Sequence, residues 1–316
     1  MFEIKRYSRS AADEWNTFVA QSKNGTFLFD RGYMDYHSTR FSDFSLMFYQ
    51  DGNLSAILPA HRDGERLVSH GGLTYGGLVM DDHLTASEIL ALFAEMNNWL
   101  RNEGVKRVVY KPIPHIYHTI PSEEDLYALT NECGAQLVSR EISSTIAMNN
   151  RLKWNRDRRY GINKAHNNGV EIIADSNDWE GFWRVLNDNL ERCHGVKPVH
   201  SLEEMKLLKS RFPHHIILYV ARKDNETIGG TVLYVTRQVV HAQYISANET
   251  GKHLRVIDAI YNQVLNEDFA DFNFFDFGKS TEDHGRILNK SLIYQKEGFG
   301  GRAVCYDTYE WDIQES

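Results

Sequence analysis

The sequence predicts an α/β protein of two tandem domains, each a mixed β-sheet flanked by helices. Three observations lead there. The chain has 316 residues, beyond the size at which one hydrophobic core keeps growing. Helix-period and strand-period stretches alternate almost to its end. One order of elements, helix–strand–loop–helix–strand, occurs twice, which reads as an internal duplication. The boundary falls near Asn149-Asn150, giving domains 1–149 and 150–316.

Taken in order, Phe2–Tyr7 is expected as a strand, and Ala11–Gln21 as a helix with Trp15, Phe18 and Val19 on one face. Ser45–Gln50, Asn53–Ala60 and Glu65–His70 follow as short strands, separated by the turn dipeptides Asp51-Gly52 and Asp63-Gly64. The repeated order begins with a helix near Ala86–Asn102, which carries Ile89, Leu92, Phe93, Met96 and Leu100 at helical spacing. It continues with a strand (Val105–Tyr110), a proline-marked loop, a helix (Glu123–Cys133) and a strand (Gln136–Met148). Its second copy has a helix (Leu254–Asn266), a strand (Phe272–Phe277), a polar loop (Gly278–Gly285), a helix (Arg286–Lys296) and a strand (Val304–Ile313). Gly134 and Gly298 both stand where a helix end needs the left-handed conformation. Between the copies, Arg151–His166 gathers Arg151, Lys153, Arg156, Arg158, Arg159 and Lys164 into a basic helical strip.

Composition excludes several classes. A net charge of −8 argues against a surface built to bind DNA, while leaving the local strip open to tRNA phosphates or to solvent. Cys133, Cys193 and Cys305 are few, odd in number and far apart, so no disulfide framework is expected and a reducing, cytoplasmic compartment fits. Met1–Ser22 does not have the apolar core of a signal peptide, and no window reaches 18 consecutive apolar residues, so no membrane span is expected. There is no G-x-S-x-G, C-x-x-C or H-E-x-x-H, and His115, His118, His214 and His215 lie in loops without ligand spacing, so no metal site is expected. Gly278-Lys279-Ser280 imitates the tail of a P-loop, but Asn273 stands where its leading glycine belongs. The run from Gly71 to Gly77, including Tyr75, reads either as a bulged hairpin or as a loop where a ligand's phosphate or sugar meets bare amides.

The most specific stretch is Phe275-Asp276-Phe277-Gly278-Lys279-Ser280-Thr281, continuing to Leu292-Ile293-Tyr294-Gln295-Lys296-Glu297-Gly298-Phe299-Gly300. It resembles the FemAB-type branch of the GNAT superfamily, which holds peptidoglycan-branching aminoacyltransferases and related envelope-polymer acyltransferases. In that branch an FDFG-S strand end precedes a helix with an FK…FG signature; Gln295 stands here in place of the phenylalanine. Arg159–Ala165 with Asn168–Ile172 resembles the same branch's R-x-x-I-x-K-A…G-V-x-V segment. The resemblance covers most of 151–316 and extends weakly to the first half. It implies two GNAT-like domains and an acyl or aminoacyl transfer, and it makes Asp276, Lys279 and Ser280 candidates for holding substrate.

Ile293–Phe299 is also similar to the F-Y-x-K-x-G-F segment of ordinary GNAT acetyltransferases, where the tyrosine protonates the departing thiolate. That resemblance makes Tyr294 and Lys296 the candidate catalytic residues, since acyl transfer to an amine needs a proton for the leaving group and a donor for the oxyanion. Simple acetyltransferases hold the coenzyme A pyrophosphate with Q/R-x-x-G-x-G/A after the preceding strand. The corresponding Asn248–His253 keeps Gly251 but not the flanking pattern, leaving Gly251, Lys252, His253 and Arg255 as candidate phosphate contacts. In the first half, the aromatic and polar run Asn24–His37 reads either as core packing or as an acceptor cleft with Arg31 and His37 in it.

The resulting expectation is an N-acyltransferase using acyl-CoA or acetyl-CoA, with no metal. Its acceptor would be an amine on an amino-sugar or peptide of an envelope-polymer precursor. The alternatives are an aminoacyl-tRNA-dependent ligase of the same branch and a non-catalytic ligand-binding pair.

Overall fold

A computed structural model describes residues 1–314, apart from the side chains of Cys193 and His194. The chain forms two compact units. The first comprises Met1–Ile142, Thr281–Ile287 and the segment from Cys305; the second comprises Ser143–Ser280 and Leu288–Val304. This differs from a single break near Asn149-Asn150, because three strands (Gln136–Ala147, Ile287–Leu288 and Arg302–Asp312) each change unit partway along their length.

The first unit begins with β1 (Glu3–Arg6), α1 (Ala12–Gln21), α2 (Arg31–Met34), β2 (Ser42–Asp43), β3 (Leu46–Gln50) and β4 (Asn53–Leu58). It continues with β5 (His61–Asp63), β6 (Arg66–Val68), β7 (Val79–Met80), α3 (Ala86–Asn102), β8 (Arg107–Tyr110), α4 (Glu124–Asn131) and the start of β9 (Gln136–Ala147). β1, β3, β4 and β7 make one sheet in that order, all antiparallel. β8 lies parallel to β6, which pairs antiparallel with β5, and β5 with β2. Asp51 (φ 49°) and Gly52 (φ 82°) make the tight β3–β4 turn in the left-handed region, as the dipeptide predicts. The apolar stripe of α3, from Ile89 to Leu100, is fully buried against both sets of strands.

After Ile142 the chain enters the second unit with the end of β9, then α5 (Arg156–Asn167), β10 (Glu171–Ile173), α6 (Trp179–His194), α7 (Leu202–Arg211), β11 (Ile216–Lys223) and β12 (Glu226–Val235). β13 (Val239–Ala247), α8 (Glu249–Leu254), α9 (Val256–Gln263) and β14 (Phe274–Lys279) follow. Thr281–Ile287 belongs to the first unit and holds β15 (Thr281–Glu282), which pairs with β16 (Ile287–Leu288); from Leu288 the second unit resumes with α10 (Lys290–Glu297) and the start of β17 (Arg302–Asp312). From Cys305 onward β17 belongs to the first unit, where it pairs antiparallel with β8. The strands of the second unit run β10-β11-β12-β13-β14-β9, antiparallel except for β13 and β14. Val240, Ala242, Phe275 and Phe277 pack on one face against Val256, Ile260, Tyr261 and Val264 of the following helical segment.

The repeated order is present: α3–β8–α4–β9 and α9–β14–α10–β17. Three details depart from the sequence reading. Arg286 lies in a turn and Ile287–Leu288 are extended rather than helical, because Asp283, His284 and Gly285 turn the chain in the left-handed region; the helix starts only where the Asn289 side chain caps Leu292 N. The expected helix from Leu254 is interrupted at Arg255, whose φ is 63°. Gly134 is left-handed (φ 61°), but Gly298 is α-helical and the left-handed residue is Gly300 (φ 93°). A Cβ at Gly298 would crowd the Asn155 and Arg158 side chains, at 2.9 Å from Asn155 Nδ2 and 3.0 Å from Arg158 Nε. Among the described residues no helix is long and apolar enough to cross a membrane.

Candidate active site

The second unit contains one interrupted pairing. β13 and β14 are its parallel neighbours, yet they pair only at Val239–Phe274, Val240–Phe275 and His241–Asp276. Beyond those residues β13 stays with β12 as far as Ala247, whereas β14 does not follow it. The two strands therefore open from one another just past His241 and Asp276. Each is irregular there: Gln243 is the extra residue where β13 slips against β12, and β14 slips against β9 between Asp276 and Lys279. Gly278, in that second slip, has φ 78°, which a residue with a side chain adopts only under strain.

Alternation along Phe275-Asp276-Phe277 sends both rings into the core and the carboxylate to the opposite face. Asp276 is 0% exposed. It accepts from Ser143 Oγ at 2.5 Å, Thr145 Oγ1 at 2.8 Å and His241 Nδ1 at 2.8 Å. Burial alone would raise this carboxyl, but the hydrogen bond and charge of His241, with both hydroxyls, hold it below its ordinary value. The site thus keeps a negative charge out of water at the mouth of the opening.

Lys296 is 6% exposed, and its Nζ donates to Gly278 O (2.8 Å), Lys279 O (2.8 Å) and Ser280 Oγ (2.9 Å). The three donors of an ammonium are thereby used. They tie α10 to the irregular end of β14. Burial lowers the Lys296 pKa to about 8, while Asp276 acts to raise it. Because the unfolded chain holds this proton to about pH 10.4, it binds more protons than the fold between those values. Stability should therefore rise with pH from about 8 toward 10, by on the order of 2–3 kcal/mol from this residue. Urea titrations at pH 7.5 and 9.5 should show the gain, and Lys296→Met should remove it.

Asp276, Lys279, Ser280 and Lys296 are thus brought together by the structure. Tyr294, two residues from Lys296 on an eight-residue helix, does not share the Lys296 face of that helix and is 67% exposed. Around α8 the picture is different. The Asn248 side chain accepts from Gly251 N at 2.9 Å, so that amide is occupied within the chain. Gly251 is also needed for packing, since a Cβ would lie 2.2 Å from Ile228 O. Lys252 bonds Asn189 and Glu249, Arg255 is held by Asp157 and Asp258, and His253 is exposed. An open cleft of about 620 Å³ lies beside Asn248 and the N-terminus of α6. Its charged lining is mixed (Asp178, Asp188, Glu226, Arg184, Arg222), and neither His241 nor Asp276 borders it.

In the first unit, Arg31, His37 and Tyr75 are all buried, contrary to an acceptor cleft open to solvent. Arg31 lies over the Tyr7 ring and is neutralised by Asp35 and Asp43, each at 2.5 Å. The His37 ring packs on Phe41 and His70, and Tyr75 packs on Tyr117 and bonds Thr26 Oγ1. The aromatics of Asn24–His37 make interior. Among the described residues no cluster of three or more His, Cys, Asp or Glu is arranged for a metal ion. His241, which sequence reading passed over, became visible only with the strand pairing. It sits 35 residues from Asp276 in no local motif.

Two α/β units and a parallel strand pair that opens beside a buried charge define the tandem GNAT fold. Residues 152–286 match the family of acetyltransferase (GNAT) domains. Across its length it is similar to FemX (TM-score 0.69, 10% identity, 98% of this chain and 97% of that one). It is also similar to L-PGS from Bacillus licheniformis (TM-score 0.60, 11% identity, 99% and 94%). A tandem GNAT protein from the clavulanic acid biosynthesis pathway matches with a TM-score of 0.53 at 8% identity, over 100% of both chains. At these identities the likeness is one of fold. Comparison with curated proteins gives no match.

Proposed function

We propose that the second unit transfers an acyl group from acyl-coenzyme A to an amine, at the opening between β13 and β14. The observation that carries this is the confinement of their pairing to three positions, with an ionised Asp276 beside the gap. A thioester laid between diverging strands meets backbone groups that a continuous ladder would consume, and such preorganised groups stabilise an oxyanion. Tyr294, exposed on α10, is the proposed acid for the departing thiolate, and Lys296 the proposed support for the strand end that faces it. Exposed His253 is the proposed phosphate contact, with Lys252, whose exposed ammonium is shared with Glu249 and Asn189, beside it. The proposed acceptor is an amino-sugar or peptide amine of an envelope-polymer precursor, following the sequence resemblance.

The test is the melting temperature of the full chain in acetyl-coenzyme A, longer acyl-coenzyme A species and aminoacyl-tRNA. A ligand at 100 times its Kd should stabilise the fold by about 2.7 kcal/mol. Selective stabilisation by the thioesters is expected. Stabilisation by aminoacyl-tRNA alone would favour the tRNA-dependent reading, for which the exposed Arg156 and Arg159 of α5 are the specific support.

A further inference from the structure

We infer that His241, held by Asp276, is the base that takes the proton from the acceptor amine. This rests on the acyl-transfer reading and adds a residue and a role to it. One hydrogen bond, to a carboxylate that is itself held in place, orients the ring. Asp276 accepts from Nδ1 at 2.8 Å, and the carboxylate is itself fixed by Ser143 and Thr145. With the proton on Nδ1, the lone pair is on Nε2, the arrangement a general base needs. That edge of the ring lies along Gly278: a Cβ there would sit 3.4 Å from Cε1 and 3.9 Å from Nε2. Even a Cβ at that position would stand only in ordinary van der Waals contact with the ring edge, at the point where β13 and β14 separate.

The other titratable groups nearby are engaged. Lys296 spends its protons on Gly278, Lys279 and Ser280. Tyr244, further along β13, is bonded to His200 Nδ1 at 2.6 Å. The cross-strand partner of His241 is Tyr234, whose hydroxyl contacts Met205 of α7, so the imidazole faces the side of the sheet that carries α7. In the step, the amine nitrogen forms a bond to the thioester carbonyl carbon and its N–H proton passes to Nε2. The carbon–sulfur bond then breaks with its electron pair going to sulfur, and the thiolate takes a proton from Tyr294. Solvent restores the tyrosine proton and removes the one on the imidazole.

Two measurements on the full chain test this, and they fail separately. The first needs no substrate. In ¹⁵N-labelled protein above pH 8, the His241 ring should carry its proton on Nδ1, and Asp276→Asn should abolish that preference. The opposite tautomer in the wild type would overturn the inference. The second uses thiol release from acetyl-coenzyme A with glucosamine or a lysine-containing peptide as acceptor. His241→Ala should slow turnover by roughly 10²–10⁴-fold with donor affinity within twofold, and added imidazole should restore part of the rate. His241→Asn, whose amide can still donate to Asp276, should melt like the wild type and be equally slow. Wild-type rates in a folded His241→Asn protein would overturn the inference. No thiol release from the wild type would count against the acyl-transfer reading itself.

Discussion

Arg158→Met is expected to lower the unfolding free energy by about 3–5 kcal/mol, the usual effect of removing one partner from a buried ion pair. Asp258, on α9, is 1% exposed and accepts from Arg158 Nη1 at 2.7 Å and from Arg255 Nε at 2.8 Å. Burial raises its pKa even against both arginines, so the site already holds this charge at a cost. α5 comes close enough to pair with it because residue 161 is glycine; a Cβ there would lie 1.9 Å from Asp258 Oδ2. The Arg158 guanidinium also covers the Phe299 ring, 4.7 Å from its centroid, so the variant loses packing as well as charge. Urea unfolding measures the loss. Adding Asp258→Leu to Arg158→Met should recover part of it, since the stranded carboxylate is then gone. A loss under 1 kcal/mol for the single variant would show that Arg255 alone satisfies Asp258.

Tyr294→Phe should slow transfer from acetyl-coenzyme A by about 10²–10⁴-fold, the range a general acid contributes, while leaving donor affinity nearly unchanged. Lys296→Met should give the opposite profile. Its ammonium is bound to three oxygens of the β14 end, so its loss should lower stability and weaken donor binding by disturbing the Gly278 slip. Two residues two positions apart on α10 thus answer to different measurements, turnover for the exposed phenol and melting for the buried amine. Equal turnover in wild type and Tyr294→Phe would remove Tyr294 from the reaction.

These sites were legible in the sequence to different degrees. The α3 stripe and the Asp51-Gly52 turn followed from local rules: 3.6-residue periodicity and a dipeptide that tolerates positive φ. The β14–α10 motif located Asp276, Ser280 and Lys296 together. What it could not give was the direction of each side chain, which depends on a strand slip at Gly278 that no periodicity encodes. His241 lies in Val239-Val240-His241-Ala242, an ordinary strand sequence. Its role arises from register with a strand more than 30 residues away, across α8 and α9. Arg31 misled for a related reason. An arginine among aromatics reads as a ligand contact, but Asp35 and Asp43 neutralise it in the interior. Arg255 did likewise, because its carboxylate partners come from α5 and α9 rather than from its own loop.

The most direct measurement of the central claim is the fate of a labelled acyl group. The full chain would be incubated with [¹³C]acetyl-coenzyme A and, separately, with a ¹³C-aminoacyl-tRNA, each with glucosamine and a lysine-containing peptide, and the products read by mass spectrometry. The label is predicted to appear on the amine from the thioester, with one free thiol released per amide formed, and to be nearly absent with His241→Asn. Label reaching the amine only from aminoacyl-tRNA, or reaching it undiminished in the His241→Asn protein, would contradict the account.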